Sequence, residues 1–294
     1  MPGKSILITG CGPSGIGSAL ASEFHIRGHR VFATGLSNPQ LAPLGALGIE
    51  TFEMDVTSES SIAQGVERVT AAMGGRLDVL VNNAGVLHML PFADTEVADA
   101  RRVFEVNVLG VVAVTKAFLP LLLAAAAAHK NQGGDRGKGG DAVVANIGSM
   151  NAVLRPPFLG AYNASKAAIE CWGASVRTEL APVGVRVVTV KTGAVESDLF
   201  ANAPATELPE GSLYEPVKEF LEGRKMLDGQ RAWFMPAETY AKNVVDELLR
   251  PKVKHVIWQG GLTTISWILS WFGWEGMLDR VMIRGHHLDR IQGC

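Results

Sequence analysis

The chain has 294 residues, 47% of them apolar and 19% charged, with 27 basic against 29 acidic side chains and a net charge of -2. That is enough for one large α/β domain or two small ones, and it marks the chain as globular and not disordered. The near-neutral balance excludes an electrostatic footprint for nucleic acid, and Cys11, Cys171 and Cys294 are too scattered for a disulfide framework or a zinc site. Isolated thiols and a start that runs directly into an apolar stretch set the expectation of a reducing, cytoplasmic setting.

The first expected strand, SILIT (5–9), leads into TGCGPSGIG (9–17). Gly10, Gly12 and Gly15 fit the pattern G-x-G-x-x-G, while Thr9, Gly10, Gly15 and Gly17 fit TG-x-x-x-GIG lengthened by one residue. Such a loop lets backbone N–H groups and a helix N-terminus approach a pyrophosphate without a Cβ in the way. Alone, it is equally a tight strand-to-helix turn. Further strands are expected at 30–34, 49–56, 77–85, 142–149, 185–193 and 254–258. Between them lie helical stretches such as 58–73, with Ile62, Val66 and Val69 on one stripe, about 95–128, and 162–180. The alternation implies an α/β chain with one Rossmann-type, doubly wound parallel sheet of about seven strands and helices on both faces.

Residues 1–260 form that domain. Within it, the Gly-rich, charged stretch 124–141 is expected to be a mobile insertion. Residues 198–236, with Pro204, Pro209 and Pro216, are expected to form a lid over the carboxyl edge of the sheet, where ligands bind in such folds. Residues 261–294 form a hydrophobic, Trp-rich extension.

The chemistry centres on YNASK (162–166). Tyr162 and Lys166 are four residues apart on one helix and therefore neighbours. An ammonium beside a phenol favours the phenolate, lowering the tyrosine from about 10 towards neutrality. In isolation such a pair is ordinarily a surface contact. Here Ser149 of NIGS ends one strand, thirteen residues before Tyr162, and NNAG (82–85) ends another, so both share an edge with the glycine loop.

Taken together, TGCGPSGIG, NNAG, NIGS and YNASK resemble the classical short-chain dehydrogenase/reductase family over about residues 4–260. The resemblance implies Tyr162 as general acid/base and Ser149 as donor to the substrate oxygen. It implies that Lys166 tunes Tyr162 and holds the nicotinamide ribose, and that Asn107 organises a proton-relay water. It further implies a dinucleotide bound by Gly10, Cys11, Gly15, Ile16 and Gly17, by Asp55 and Val56 at the adenine, by Asn83, Ala84 and Gly85, and by Val195 and Ser197 beyond the nicotinamide. Thr192-Gly193 stands where the family has Pro-Gly, which leaves the stiffness of that turn in question. Dimers or tetramers through the two long helices are implied as well.

After the second strand, Gly35 to Asn38 carry neither a carboxylate nor an arginine, which favours NADPH over NADH, with Thr34, Ser37 and Asn38 as phosphate donors. Treated as a helix from Thr263, the tail places Trp267, Trp271 and Trp274 on one stripe and is apolar nearly all round, so it should be buried. Three alternatives stand: it covers the pocket or a subunit interface, it lies in a membrane interface through 261–284 with Arg280, Arg284 and Arg290 near phosphates, or it is not one helix. Contact with the cytosolic face of the endoplasmic reticulum or of lipid droplets follows from the second.

The glycine motif and tail are similar to fungal NADPH-dependent 1-acyldihydroxyacetone-phosphate reductases and to hydroxysteroid dehydrogenase-like reductases. The expected reaction is reduction of a lipophilic ketone to an alcohol, or its reverse. Arg155, Arg224, Lys225 and Arg231 are candidate anchors for an acyl phosphate; a tailoring reduction of a polyketide or terpenoid ketone needs no such anchor. A dinucleotide-binding regulatory protein is the reading from another class, and the presence of Asn107, Ser149, Tyr162 and Lys166 together argues against it. No metal is expected: His286 and His287 are adjacent and read as a solvated tail, and His88 reads as a pocket-mouth or plain loop residue.

Overall fold

The computed structural model describes residues 3–131, 142–199, 202–203, 206–223 and 232–291. Its strands are β1 (Ser5–Ile8), β2 (Arg30–Gly35), β3 (Glu50–Glu53), β4 (Val79–Asn82), β5 (Ala142–Ile147), β6 (Val185–Thr192) and β7 (Val256–Gln259). They form one sheet of order β3-β2-β1-β4-β5-β6-β7 with every pair parallel. The order reverses between β1 and β4, which opens a crevice at their carboxyl ends. Residues of β1, β4 and β5 are buried throughout. Helices cover both faces, so these strands are continuous apolar runs and not alternating ones.

The helices are α1 (Ile16–Ile26), α2 (Asn38–Ala46), α3 (Glu59–Met73), α4 (Val97–Phe104), α5 (Val111–Asn131), α6 (Asn151–Leu154), α7 (Gly160–Leu180), α8 (Lys218–Glu222), α9 (Ala237–Leu248), α10 (Thr263–Phe272) and α11 (Asp279–Gly285). The two-residue period of β1 sends Ile6 and Ile8 to one face, against Leu20 and Phe24 of α1 and Tyr240 and Val244 of α9. Leu7 goes to the other, against Phe118 and Leu122 of α5. Each such side chain contributes roughly 1.5–3 kcal/mol when fully buried. α3 starts where Ser58 Oγ accepts from Ser61 N and stops at Gly74, left-handed at φ 60°, which matches the stretch expected from the sequence. α4 continues into α5 through a π-helical turn, Glu105–Gly110.

Of the expected insertion, residues 124–131 extend α5, and 132–141 lie outside the described residues. So do Pro204, Arg224, Lys225 and Arg231 of the expected lid. From the same stretch, Leu208, Val217 and Leu221 pack with Leu87, Phe158, Leu159 and Tyr162, and Leu288 and Ile291 join them.

The tail departs from the expectation of burial. In α10 only Thr263 and Ser266 are buried, while Ile265, Trp267, Ile268, Trp271 and Phe272 are exposed, and Trp274 lies beyond the helix. Close approach explains the choice. Gly193 and Gly261 meet with no room for a Cβ, and Thr263 Oγ1 donates to Gly260 O at 2.8 Å. Only small side chains fit on that side, so the large apolar ones face outward.

Candidate functional site

The glycine loop is fastened to the end of β4. Thr9 Oγ1 accepts from the N–H groups of Asn83 (3.1 Å) and Ala84 (3.0 Å), and Asn83 Nδ2 donates to the carbonyls of Thr9 and Gly10, both at 2.9 Å. Asn82 is fixed in turn: its Nδ2 donates to Thr115 Oγ1 and to Asn146 Oδ1 of β5, each at 2.9 Å. Gly10 turns at φ +70°, and a Cβ there would lie 2.5 Å from Ala84 Cα; a Cβ on Gly17 would lie 2.5 Å from Asn83 Nδ2. These two glycines are packing requirements. Gly12, by contrast, faces open space. Gly15 caps α1 without a side-chain hydrogen bond or an acid in the first turn, which leaves the positive end of that helix available to an anion.

A cavity of about 900 Å³ opens from this loop. Gly10, Gly15 and Ile16 line one end, Asp55, Val56, Asn83, Ala84 and Gly85 its flank, and Tyr162, Lys166, Val195 and Ser197 the far part. A glycine cradle, an open helix N-terminus and this elongated space fit a dinucleotide.

Tyr162 and Lys166 lie one turn apart near the start of α7, both buried. Ser149 follows β5; its Oγ accepts from Asn151 N at 3.1 Å and is hydrogen-bonded to the Tyr162 hydroxyl. Burial pushes the phenol up to about 12 against the opposing effect of that bond. Burial likewise pulls Lys166 down to about 8, against the pull of Glu170. The expected lowering of the phenol by the lysine is therefore not found. Lys166 Nζ sits 5.7 Å from the centroid of the Tyr162 ring and donates to Ile147 O at 2.9 Å, so desolvation dominates both groups.

Asn107 sits in the π turn and does not line the cavity. Its Oδ1 accepts from Val86 N at 2.8 Å, and its Nδ2 donates to Val86 O (2.9 Å) and Ser165 Oγ (3.0 Å). Its side chain thus braces the irregular segment that follows NNAG and is already committed to protein partners. It still borders the site, because a Cβ on Gly85 would lie 3.3 Å from Asn107 Oδ1 and 3.7 Å from Lys166 Nζ.

Several expected contacts are turned away. Thr34 is fully buried and donates to Ile8 O at 3.3 Å, so it cannot reach a phosphate in the cavity. The Cys11 thiol is equally enclosed, 3.7 Å from Ile8 O, and burial raises it to about 12, the opposite of a redox-sensitive thiolate. Ser37 starts α2 outside the cavity lining. Asn38 N donates to the Glu53 carboxylate of β3 at 2.8 Å, which brings to this turn an acid that the local sequence lacks. Arg155 lies outside the lining too, held by Glu275 at 2.9 Å. His88 does not line the cavity.

Sequence reasoning missed two features. Thr192 Oγ1 is hydrogen-bonded to the buried Tyr240 hydroxyl at 2.6 Å, and Gly193 N donates to Gln259 O at 2.9 Å, so the turn lacking proline is stiffened from α9 and β7. His286, expected in a solvated tail, is buried and lines the cavity with Met282. No local pattern signals either, because both depend on segments distant in the chain meeting across the sheet edge.

A model of the family described as short chain dehydrogenase matches residues 4–208. The chain is 35% identical over 297 residues to the short-chain dehydrogenase fogD of Aspergillus ruber, covering 99% of this chain and 96% of the relative. It is 36% identical over 279 residues to the short-chain dehydrogenase srdE of Neurospora crassa, covering 94% and 90%. Among solved structures, a short-chain dehydrogenase from Streptomyces avermitilis superposes with a TM-score of 0.74 at 27% identity, covering 99% of this chain and 97% of that one. With the glycine loop, the pinned NNAG turn, Tyr162 and Lys166 on one cavity and Ser149 hydrogen-bonded to Tyr162, the chain belongs to the short-chain dehydrogenase/reductase family of oxidoreductases.

Proposed function

We propose that the protein reduces a ketone on an apolar substrate to a secondary alcohol, or runs the reverse oxidation, in the tailoring of a polyketide or terpenoid skeleton. The observation that carries this reading is the continuity of one cavity from the glycine loop to Tyr162, where its wall becomes apolar at Leu154, Pro156, Leu159, Leu199 and Phe234. An acyl-dihydroxyacetone phosphate fits less well. Arg155 is paired with Glu275 outside the lining, and the other candidate anchors are not among the described residues.

In this reading a nicotinamide dinucleotide supplies hydride to the carbonyl carbon. Tyr162, which burial keeps protonated, delivers its proton to the carbonyl oxygen, and the Ser149 hydroxyl donates to the same oxygen, so negative charge does not accumulate there. Lys166 holds a positive charge one turn away and supports return of the proton, and Asn107 positions the Val86 backbone beside it. Asp55, Val56, Asn83 and Ala84 hold the adenosine half.

NADPH is the proposed reductant on the strength of Gly35 to Asn38. One observation favours NADH instead: the Glu53 carboxylate reaches the turn at Asn38 and would oppose a 2′-phosphate. Assembly through α4, α5 and α7, and peripheral membrane contact through the outward face of α10 on the cytosolic side, complete the proposal. The test is consumption of both reduced dinucleotides with an aromatic polyketide ketone, a steroid ketone and an acyl-dihydroxyacetone phosphate. Turnover of either of the first two exceeding that of the third supports the reading, and turnover confined to the third overturns it.

A further inference from the structure

The far end of the cavity contains a polar group that the proposed reaction does not use. The chain returns from α10 through α11 and places Met282 and His286 in the cavity wall, whose lining also includes Leu159, Leu199, Phe234 and Leu262. The His286 ring is fixed on three sides. Phe158 meets it edge-on with centroids 5.9 Å apart at 64°, Phe220 does so at 6.0 Å and 81°, and its Nδ1 is 2.9 Å from Met282 O. A carbonyl oxygen only accepts, so Nδ1 carries the hydrogen and Nε2 is left as a bare lone pair. Nε2 has no hydrogen-bond partner among the described residues. Burial lowers the affinity of the ring for a second proton, as does the adjacent His287.

We infer that His286 Nε2 accepts a hydrogen bond from a hydroxyl on the substrate, remote from the reacting carbonyl, so that the site selects hydroxylated apolar ketones. The inference rests on the reductase reading of the cavity and deepens it. A rigid imidazole of fixed tautomer, set among apolar walls, is a poor site for a substrate that offers nothing to donate, because the lone pair would then be desolvated without a partner. The same ring is packed on Phe158, four residues before Tyr162, so this recognition point is built onto the loop that leads into the tyrosine helix.

The experiment uses the full chain and two probes of similar size, a hydroxytetralone and its fluoro counterpart, which has no hydrogen to donate, with binding followed by calorimetry and turnover followed separately. The wild type is expected to bind the hydroxy ketone about tenfold more tightly, the effect of one hydrogen bond to a buried acceptor. His286→Phe, which keeps the ring packing, should remove that preference while leaving dinucleotide binding unchanged, and His286→Gln, which restores an acceptor, should recover part of it. Equal binding of the two probes by the wild type, or a preference that survives in His286→Phe, overturns the inference. Selective binding without Tyr162-dependent turnover instead overturns the reductase reading and leaves the role of His286 intact.

Discussion

Lys166 and Tyr162 have opposite displacements for one reason: the protein interior penalises whichever form is charged, an ammonium in one case and a phenolate in the other. The order of titration follows. With Lys166 near 8 and Tyr162 near 12, the lysine loses its proton first as pH rises, while the phenol is still protonated. Ketone reduction should therefore fall above about pH 8 through loss of the lysine charge, and a pH profile of kcat that stays flat to pH 10 would remove Lys166 from the proton supply. Glu53 gives a second check. Glu53→Gln removes a carboxylate from the turn at Asn38, so the ratio of NADPH to NADH affinity should rise by roughly three- to tenfold, read from dinucleotide fluorescence titrations; an unchanged ratio would show that the carboxylate is remote from the bound phosphate.

Elements differ in how much of themselves the chain discloses locally. All seven strands and α3 and α7 are legible from β-branched runs and from apolar stripes such as Ile62, Val66 and Val69, because their determinants lie within a few residues. The grouping of Ser149, Tyr162 and Lys166 is legible for the same reason, since each motif sits at a strand end or at the start of a helix. What the sequence conceals is longer-range. Glu53 reaches across from β3, Tyr240 stiffens the Thr192 turn from α9, and α10 turns its small residues inward because glycine backbones pack beneath it. The Thr192 turn can be examined directly. Tyr240→Phe leaves a buried threonine hydroxyl without its 2.6 Å partner and should cost about 1–3 kcal/mol in urea unfolding. Stability equal to wild type would show that the missing proline needs no substitute.

Over the whole molecule, the cavity is walled by segments from both ends of the chain, from Gly10 to His286. The tail's other side presents Ile265, Trp267, Ile268, Trp271 and Phe272 to the exterior, a large apolar strip for one short helix. Joint replacement of Trp271 and Phe272 by serine should reduce co-sedimentation with phosphatidylcholine and phosphatidylserine vesicles without changing turnover, and undiminished partitioning would sink the membrane contact. The reductase reading itself stands on one oxygen atom, the phenol of Tyr162, which lines the cavity and is hydrogen-bonded to Ser149. The decisive measurement is consumption of NADPH and NADH by wild type and Tyr162→Phe across apolar ketones, with dinucleotide binding measured on the same samples. The variant should bind dinucleotide normally and lose at least about a hundredfold in kcat, whereas wild-type rates in Tyr162→Phe would contradict the assignment.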